Sequence, residues 1–106
     1  MKRGTLCWVD LEPAARGEFG KTRPALVVSN SEQNVVLPSV VVVPLSSRAP
    51  EIWPLRLEVK VPGGKLSYAV IPGIRQISKT RIQRVIGEAA PAALDRIAEA
   101  LALYLG

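Results

Sequence analysis

The near-continuous valine run from Ser39 to Leu45 limits the fold of this chain more than any other segment does. Valine is branched at its β-carbon and favours extended backbone, and an unbroken apolar run of this length is typical of a strand that is buried on both faces. A membrane-spanning helix would need roughly 20 apolar residues in succession, and the sequence has no such stretch. The run therefore predicts a buried β-strand in a protein without a membrane span.

Shorter strand-like segments lie on both sides of this run. Thr5–Leu11 and Pro24–Ser29 are rich in strand-forming residues. Pro54–Val61 alternates apolar and charged side chains, which indicates a strand with one solvent-exposed face. Pro62–Lys65 contains two adjacent glycines and predicts a hairpin turn, so Leu66–Ile71 is expected to return as the partner strand.

The end of the chain predicts helical structure. Pro91–Leu105 begins with proline, which suits the first helical position, and five apolar residues recur there at helical spacing: Leu94, Ile97, Ala98, Leu101 and Leu105. The helix either only covers the sheet or also meets a second subunit.

Ser78–Arg81 predicts a single helical turn, and Arg84–Gly87 a last short strand. Short strands with irregular loops and one terminal helix indicate a mainly β fold. We predict a small, partly open SH3-like β-barrel with a C-terminal helix, and a single domain over residues 1–106.

The chain contains no histidine and one cysteine, Cys7. Without histidine it cannot assemble Ser-His-Asp or Cys-His nucleophilic machinery, a histidine acid–base pair, or the common zinc and iron ligand sets. A single cysteine excludes an intrachain disulfide. Any catalysis must therefore use Arg, Lys, Glu, Asp, Ser, Thr or Tyr.

Charge and loop composition point to a polyanionic partner. The net charge is +5, which suits nucleic acid, with an ordinary basic surface as the alternative. Two polar loops, Glu12–Thr22 and Ser46–Trp53, are the expected places for functional side chains. The N-terminal residues are charged and no apolar leader region follows them, so a cytoplasmic location is expected.

Several segments, taken together and in order, resemble the MazF/PemK family of toxins. They are Lys2-Arg3-Gly4, Trp8–Leu11, Gly17-Glu18, Lys21–Asn30, Val42–Ser47, Ile74-Arg75, Ile77–Lys79, Arg81-Ile82 and Val85–Gly87. The resemblance implies a compact barrel, a homodimer, and an endoribonuclease that cuts single-stranded RNA at a short sequence with no metal and no cofactor. It also implies a cognate MazE-like antitoxin that is acidic and partly disordered.

The same resemblance assigns residues to the site. The family's catalytic arginine falls on Arg23, its catalytic threonine or serine on Ser46, and its loop glutamate on Glu18. The expected RNA-binding residues are Lys21, Thr22, Ser47, Arg48, Arg75, Gln76, Lys79 and Arg81. Independently of the resemblance, Arg75, Lys79, Arg81 and Arg84 form a basic segment that either contacts phosphates or is a solvated face with salt bridges to acidic residues. One departure is Gly73, where relatives commonly have glutamine, so the preferred RNA sequence is expected to differ here.

The chemistry implied for these residues is self-cleavage of RNA by its own 2′-OH, which leaves a 2′,3′-cyclic phosphate and a 5′-OH. An arginine guanidinium stays protonated and fits two phosphate oxygens, so Arg23 suits charge stabilisation rather than proton removal. Ser46 or Ser47 can donate a hydrogen bond to the same phosphate, and Glu18 is the better general base.

Alternatives remain open on the sequence alone. A gyrase-inhibiting toxin on the same fold would need no catalytic arginine, and a non-catalytic SH3-like module would only bind nucleic acid or peptide. Aromatic residues make up 5% of the chain, which counts against a peptide groove. Cys7 and Trp8 are predicted to be core residues, and Trp53 is predicted to pack on the barrel rather than to stack on a base.

Overall fold

A curled antiparallel sheet and a C-terminal helix form the fold, and the mainly β prediction is confirmed. The computed structural model describes residues 1–12, 17, 21–63 and 65–106. The elements are β1 (Thr5–Asp10), β2 (Thr22–Val27), α1 (Ser31–Val36), β3 (Ser39–Ser46), β4 (Arg56–Val61), β5 (Lys65–Val70), β6 (Arg75–Ser78), β7 (Ile82–Glu88) and α2 (Pro91–Leu105), with 3₁₀ turns at Ile71–Gly73 and Lys79–Arg81. The second 3₁₀ turn confirms the predicted helical turn.

Strand β3 lies at the centre of the sheet and explains the valine run. The strand order is β4-β5-β3-β2-β1-β7, and β6 also pairs with β3. One edge of β3 pairs with β2, while its other edge is divided between β6 over Ser39–Val42 and β5 over Leu45–Ser46. Side chains on both faces of its second half are buried. The two ends of β3 therefore carry different neighbours, and only the end at Ser46 lies beside β5.

The strands bury two clusters of apolar side chains, one on each face of the sheet. The helix-side core contains Leu6, Leu26, Val43 and Leu45, together with Ile97 and Ala100 of α2. The opposite core contains Cys7, Val9, Leu11, Ala25, Val27, Val40, Val42 and Ile77. Because side chains alternate along a strand, Trp8 lies on the same face of β1 as Leu6 and not on that of Cys7 and Val9.

Helix α2 has the predicted bounds but a slightly different buried line. Ile97 and Ala100 are fully buried, whereas Ala98 and Leu105 of the predicted stripe are exposed. The small Ala100 side chain allows close approach to the sheet, and Leu105 lies at the helix end. Neither helix in the described part of the chain has the length and apolar character that spanning a bilayer requires.

Two elements were not anticipated from the sequence. Helix α1 is short, and Asn30 caps it by accepting a hydrogen bond from the Glu32 N–H at 2.8 Å. The buried Asn34 side chain donates to the carbonyl oxygens of Met1 and Ser29, each at 3.0 Å. Strand β6 was missed because four residues carry little periodicity of their own.

Candidate active site

A groove of about 470 Å³ opens where β1, β2 and the end of β3 meet the β4–β5 hairpin and β7. Its polar and cationic side chains are Lys21, Thr22, Arg23, Ser46, Ser47, Ser67 and Arg84. Its apolar side chains are Trp8, Pro24, Leu45, Val61, Pro62 and Ile86. Cationic and hydroxyl groups beside apolar walls suit a ligand that carries both negative charge and flat apolar surface.

Strand register brings Arg23 and Ser46 to the same part of this groove. Strands β2 and β3 are antiparallel, and Ala25 pairs with Pro44. Arg23 lies two residues before Ala25 on β2, and Ser46 lies two residues after Pro44 on β3. Positions that share this offset face each other on one side of an antiparallel pair. A guanidinium and a hydroxyl therefore line one groove from opposed positions of neighbouring strands.

The Ser46 hydroxyl is held so that its proton can be donated to a ligand. Ser46 is the last residue of β3 and is buried. Its Oγ accepts a hydrogen bond from the backbone N–H of Arg48 at 3.2 Å. Because an oxygen lone pair makes this bond, the O–H remains available as a donor. The backbone carbonyl of Arg48 in turn accepts from Arg56 Nη1 at 3.4 Å, which ties the start of the loop to β4.

Lys21 enters the groove from a strained backbone position. Its φ is +64°, a left-handed conformation that residues other than glycine rarely adopt. Its N–H donates to Glu12 Oε1 at 2.6 Å, and its carbonyl oxygen accepts from the Leu11 N–H at 2.9 Å. Strain of this kind persists where surrounding bonds enforce it and is frequent at functional sites.

Trp8 and Arg84 form a further part of the groove. Arg84 belongs to the basic segment that the sequence offered as a phosphate contact, whereas the place of Trp8 in the groove was missed. Trp8 of β1 pairs with Pro24 of β2 on one side and with Arg84 of β7 on the other. The Arg84 Cζ lies 5.9 Å from the centre of the Trp8 ring. The prediction of a core Trp8 was wrong, because its face of β1 runs beyond the end of the helix-side core and opens into the groove. Cys7, predicted to be core, is fully buried.

The outer wall of the groove depends on a glycine. A Cβ added to Gly87 of β7 would lie 2.6 Å from Pro62 Cγ. The hairpin turn can therefore close on β7 only because residue 87 has no side chain. Val61 and Pro62 thereby form the wall that faces Trp8 and Ile86.

The predicted site residues divide into two groups. Lys21, Thr22 and Ser47 share the groove with Arg23 and Ser46. Five other predicted RNA-binding residues do not line it: Arg48, Arg75, Gln76, Lys79 and Arg81. Glu18 lies outside the described residues.

The second group is set apart by the topology of β3. Four of its members lie on β6 or on the turn that follows it, and β6 pairs with the end of β3 away from Ser46. Some of them are also engaged elsewhere. The Arg81 guanidinium donates to the backbone carbonyls of Asp10 and Glu12. Gln76 Nε2 donates to Ser39 Oγ at 2.7 Å.

Two other observations bear on chemistry. Burial raises the pKa of the Cys7 thiol to about 11, so this group is a poor nucleophile at neutral pH. Among residues 1–12, 17, 21–63 and 65–106, no three His, Cys, Asp or Glu side chains are grouped as metal ligands.

Known proteins resemble this chain in sequence and in fold. A model of the PemK-like, MazF-like toxins of type II toxin–antitoxin systems matches residues 2–105. Endoribonuclease MazF9 from Mycobacterium tuberculosis is 34% identical over 113 residues, which cover 99% of this chain and 96% of that protein. MazF from Deinococcus radiodurans has a similar structure, with a TM-score of 0.87 at 27% identity, covering 100% of this chain and 96% of that one.

A further solved structure is an endoribonuclease in complex with its cognate antitoxin from a mycobacterial species. Its TM-score is 0.79 at 28% identity, and the match covers 100% of this chain and 95% of that one. Sequence and fold thus agree over nearly the whole chain. The chain belongs to the PemK-like, MazF-like family of type II toxins.

Proposed function

We propose that this chain is an endoribonuclease toxin that cuts single-stranded RNA at a short sequence without a metal ion. The observation that carries the proposal is the shared groove of Arg23 and Ser46, a fixed cation and a hydroxyl donor on opposed positions of paired strands. Family membership supports it, and MazF9, which is 34% identical, is named an endoribonuclease.

The reaction divides among few groups. The 2′-oxygen of the ribose bonds to the adjacent phosphorus while the bond from phosphorus to the 5′-oxygen breaks. The 2′-OH gives up a proton and the departing 5′-oxygen takes one, which leaves a 2′,3′-cyclic phosphate and a 5′-OH. Arg23 offsets the negative charge that builds up on the phosphate oxygens, and Ser46 donates its O–H to the same group.

The general base is assigned to Glu18 by resemblance to the family. None of the described side chains that line the groove is a carboxylate. The Glu12 carboxylate accepts the Lys21 N–H at 2.6 Å and so is already engaged with the groove's rim. A carboxylate from the loop between β1 and β2 supplies the proton acceptor in this proposal.

A MazE-like antitoxin is the proposed partner. An acidic, partly disordered chain would suit the cationic groove and the net charge of +5. A mycobacterial endoribonuclease at 28% identity is known in complex with its cognate antitoxin. A cytoplasmic location is part of the proposal, because messenger RNA is found there.

A homodimer is proposed from the exposed apolar end of α2. Leu103 is 61% exposed, Tyr104 43% and Leu105 67%, which is unusual for adjacent large apolar residues of a monomer. Sedimentation should give twice the mass of one chain. A Leu103→Glu substitution should lower it to that of a monomer, since a buried charge without a partner destabilises an interface.

Cleavage of a long single-stranded RNA in EDTA, followed by mapping of the fragment ends, tests the activity. Arg23→Ala and Ser46→Ala should each lower the rate about 100- to 1,000-fold, the usual effect of losing one preorganised donor. Lys60→Ala is the matched control, because Lys60 is an exposed cation of β4 that does not line the groove.

The parent protein should cut at one recurring short sequence and leave 5′-OH ends. Intact RNA after incubation with folded parent protein would overturn the proposal and favour a gyrase-inhibiting toxin or a binding module. Equal cleavage by the parent, Arg23→Ala and Ser46→Ala would overturn the site assignment alone.

A further inference from the structure

The groove contains an aromatic ring next to its cationic side. Trp8 is half-buried and pairs with Pro24, the chain neighbour of Arg23. Arg23 itself pairs with Val9, so its side chain leaves β2 on the other face from Trp8. Both residues nevertheless line the same groove, from strands that lie about 4.8 Å apart. A base attached to a nucleotide whose phosphate contacts Arg23 can therefore reach the Trp8 ring.

Arg84 holds its guanidinium above this ring. Its Cζ is 5.9 Å from the ring centre, and within the described part of the chain it makes no hydrogen bond or ion pair. Its five N–H donors thus remain for a ligand. Arginine and tryptophan are also the side chains on which bases of single strands stack.

The described residues of the neighbouring wall are apolar. Val61, Pro62 and Ile86 line the groove beside Trp8 and Arg84. Such a wall favours the flat face of a base over the sugar or the phosphate. The phosphate-binding chemistry lies instead on the β2 and β3 side, with Arg23 and Ser46.

We propose that Trp8 and Arg84 form a nucleobase subsite, in which one base next to the cut phosphate stacks on the Trp8 ring and the Arg84 guanidinium contacts that nucleotide. This inference rests on the proposed function and adds to it the contact that the groove makes with a base. Stacking accepts any base, so the subsite adds affinity more than it selects sequence.

The chain has two tryptophans, Trp8 and Trp53, and this allows a direct test. A Trp53→Phe variant leaves Trp8 as the only tryptophan, so its fluorescence reports on the subsite. Trp8→Phe leaves Trp53 and is the matched control. Each is titrated with short fluorescein-labelled single strands of 2′-deoxyadenosine or 2′-deoxycytidine, which lack the attacking 2′-OH, and with an abasic strand of the same length.

Base-bearing strands should quench Trp8 fluorescence in the Trp53→Phe protein and leave Trp53 fluorescence in the Trp8→Phe protein unchanged. The abasic strand should bind about 5- to 150-fold more weakly by anisotropy, the range for loss of one stacked base, and should not quench. Arg84→Ala should weaken the base-bearing strands more than the abasic one.

Binding of the base-bearing strands without quenching of Trp8 would overturn the subsite, as would equal quenching by the abasic strand. Failure of any strand to bind would overturn it too. Cleavage of long RNA by the parent protein is measured separately, so the subsite can fail while the proposed function stands.

Discussion

Two arginine–tryptophan pairs occur in this chain, and they differ in what else holds the arginine. Arg84 lies 5.9 Å from the Trp8 ring centre, and Arg96 of α2 lies 5.5 Å from that of Trp53. Arg96 also donates to Glu51 Oε1 at 3.1 Å. Among the residues that the structure describes, no carboxylate accepts a hydrogen bond from Arg84.

The difference separates a structural contact from a binding contact. Glu51 accepts from Arg96 and from the Glu58 N–H at 2.9 Å, so Arg96, Glu51 and Trp53 together fasten the β3–β4 loop to α2. Trp53, predicted to pack on the barrel, is 43% exposed, and its ring contacts Arg96 of α2. The Trp8 pair has similar geometry but lies in a groove, and its arginine makes no hydrogen bond to any residue that the structure describes, so the surroundings and not the pair itself indicate a ligand.

The largest expected effect is a difference in RNA cleavage between variants of the Trp8–Arg84 pair and variants of the Trp53–Arg96 pair. Trp8→Leu combined with Arg84→Ala should lower kcat/KM for RNA cleavage about 100-fold, since stacking on Trp8 and the Arg84 contact with the same nucleotide are both lost. Trp53→Leu combined with Arg96→Ala should change it less than about 2-fold. Cleavage kinetics on one RNA measure both, with circular dichroism to verify folding. Similar losses in the two double variants would abolish the distinction.

A substitution where β1 meets helix α2 should change the free energy of unfolding rather than the cleavage rate. Gly4 has a φ of +97°, and a Cβ there would lie 2.7 Å from Leu94 Cδ1 of α2. Gly4→Ala should lower the free energy of unfolding by about 2 kcal/mol, because backbone strain and overpacking add. Urea denaturation measures it. An unchanged midpoint would mean that α2 can shift away without loss.

Gly87→Ala adds the same methyl group on β7, at the outer wall of the groove. The new methyl group would meet Pro62 Cγ at 2.6 Å, but Pro62 lies on an exposed turn that can move outward. Unfolding free energy should fall by less than about 1 kcal/mol, since the clash is relieved by this movement. Cleavage should fall about 3-fold, because the wall opposite Trp8 moves away. A stability loss equal to that of Gly4→Ala, with unaltered cleavage, would contradict the assigned role of the hairpin.

Sequence patterns predicted the elements well where local signals were strong. The proline at the start of α2, the alternation in Pro54–Val61 and the valine run each identified an element correctly. Family resemblance supplied Arg23 and Ser46, and register explains why they share a groove. These are signals carried by single segments or by a known pattern.

What sequence could not supply were relations between distant segments. The alternation of Leu6 and Trp8 against Cys7 and Val9 can be read in β1, but not where the helix-side core ends along that face. The pairing of β6 with the far half of β3 cannot be read from the sequence either, and this pairing separates Arg75 and its neighbours from the groove. Both depend on tertiary pairing between segments far apart in the chain.

The smallest expected effect concerns the Trp53 side and its dependence on pH. The backbone N–H of Glu58 and the Arg96 guanidinium lower the pKa of Glu51. A lowered folded-state pKa means that Glu51 stabilises the fold above its unfolded pKa, about 4.3, and that this contribution disappears as pH falls through the folded value. Exposed ion pairs contribute between 0 and about 1 kcal/mol. Urea denaturation should therefore show Glu51→Gln slightly less stable than the parent at neutral pH and equal to it in strong acid. A gap that persists in acid would mean that Glu51 acts by packing rather than by charge, and the loop would then be fastened to α2 chiefly by the Trp53–Arg96 contact.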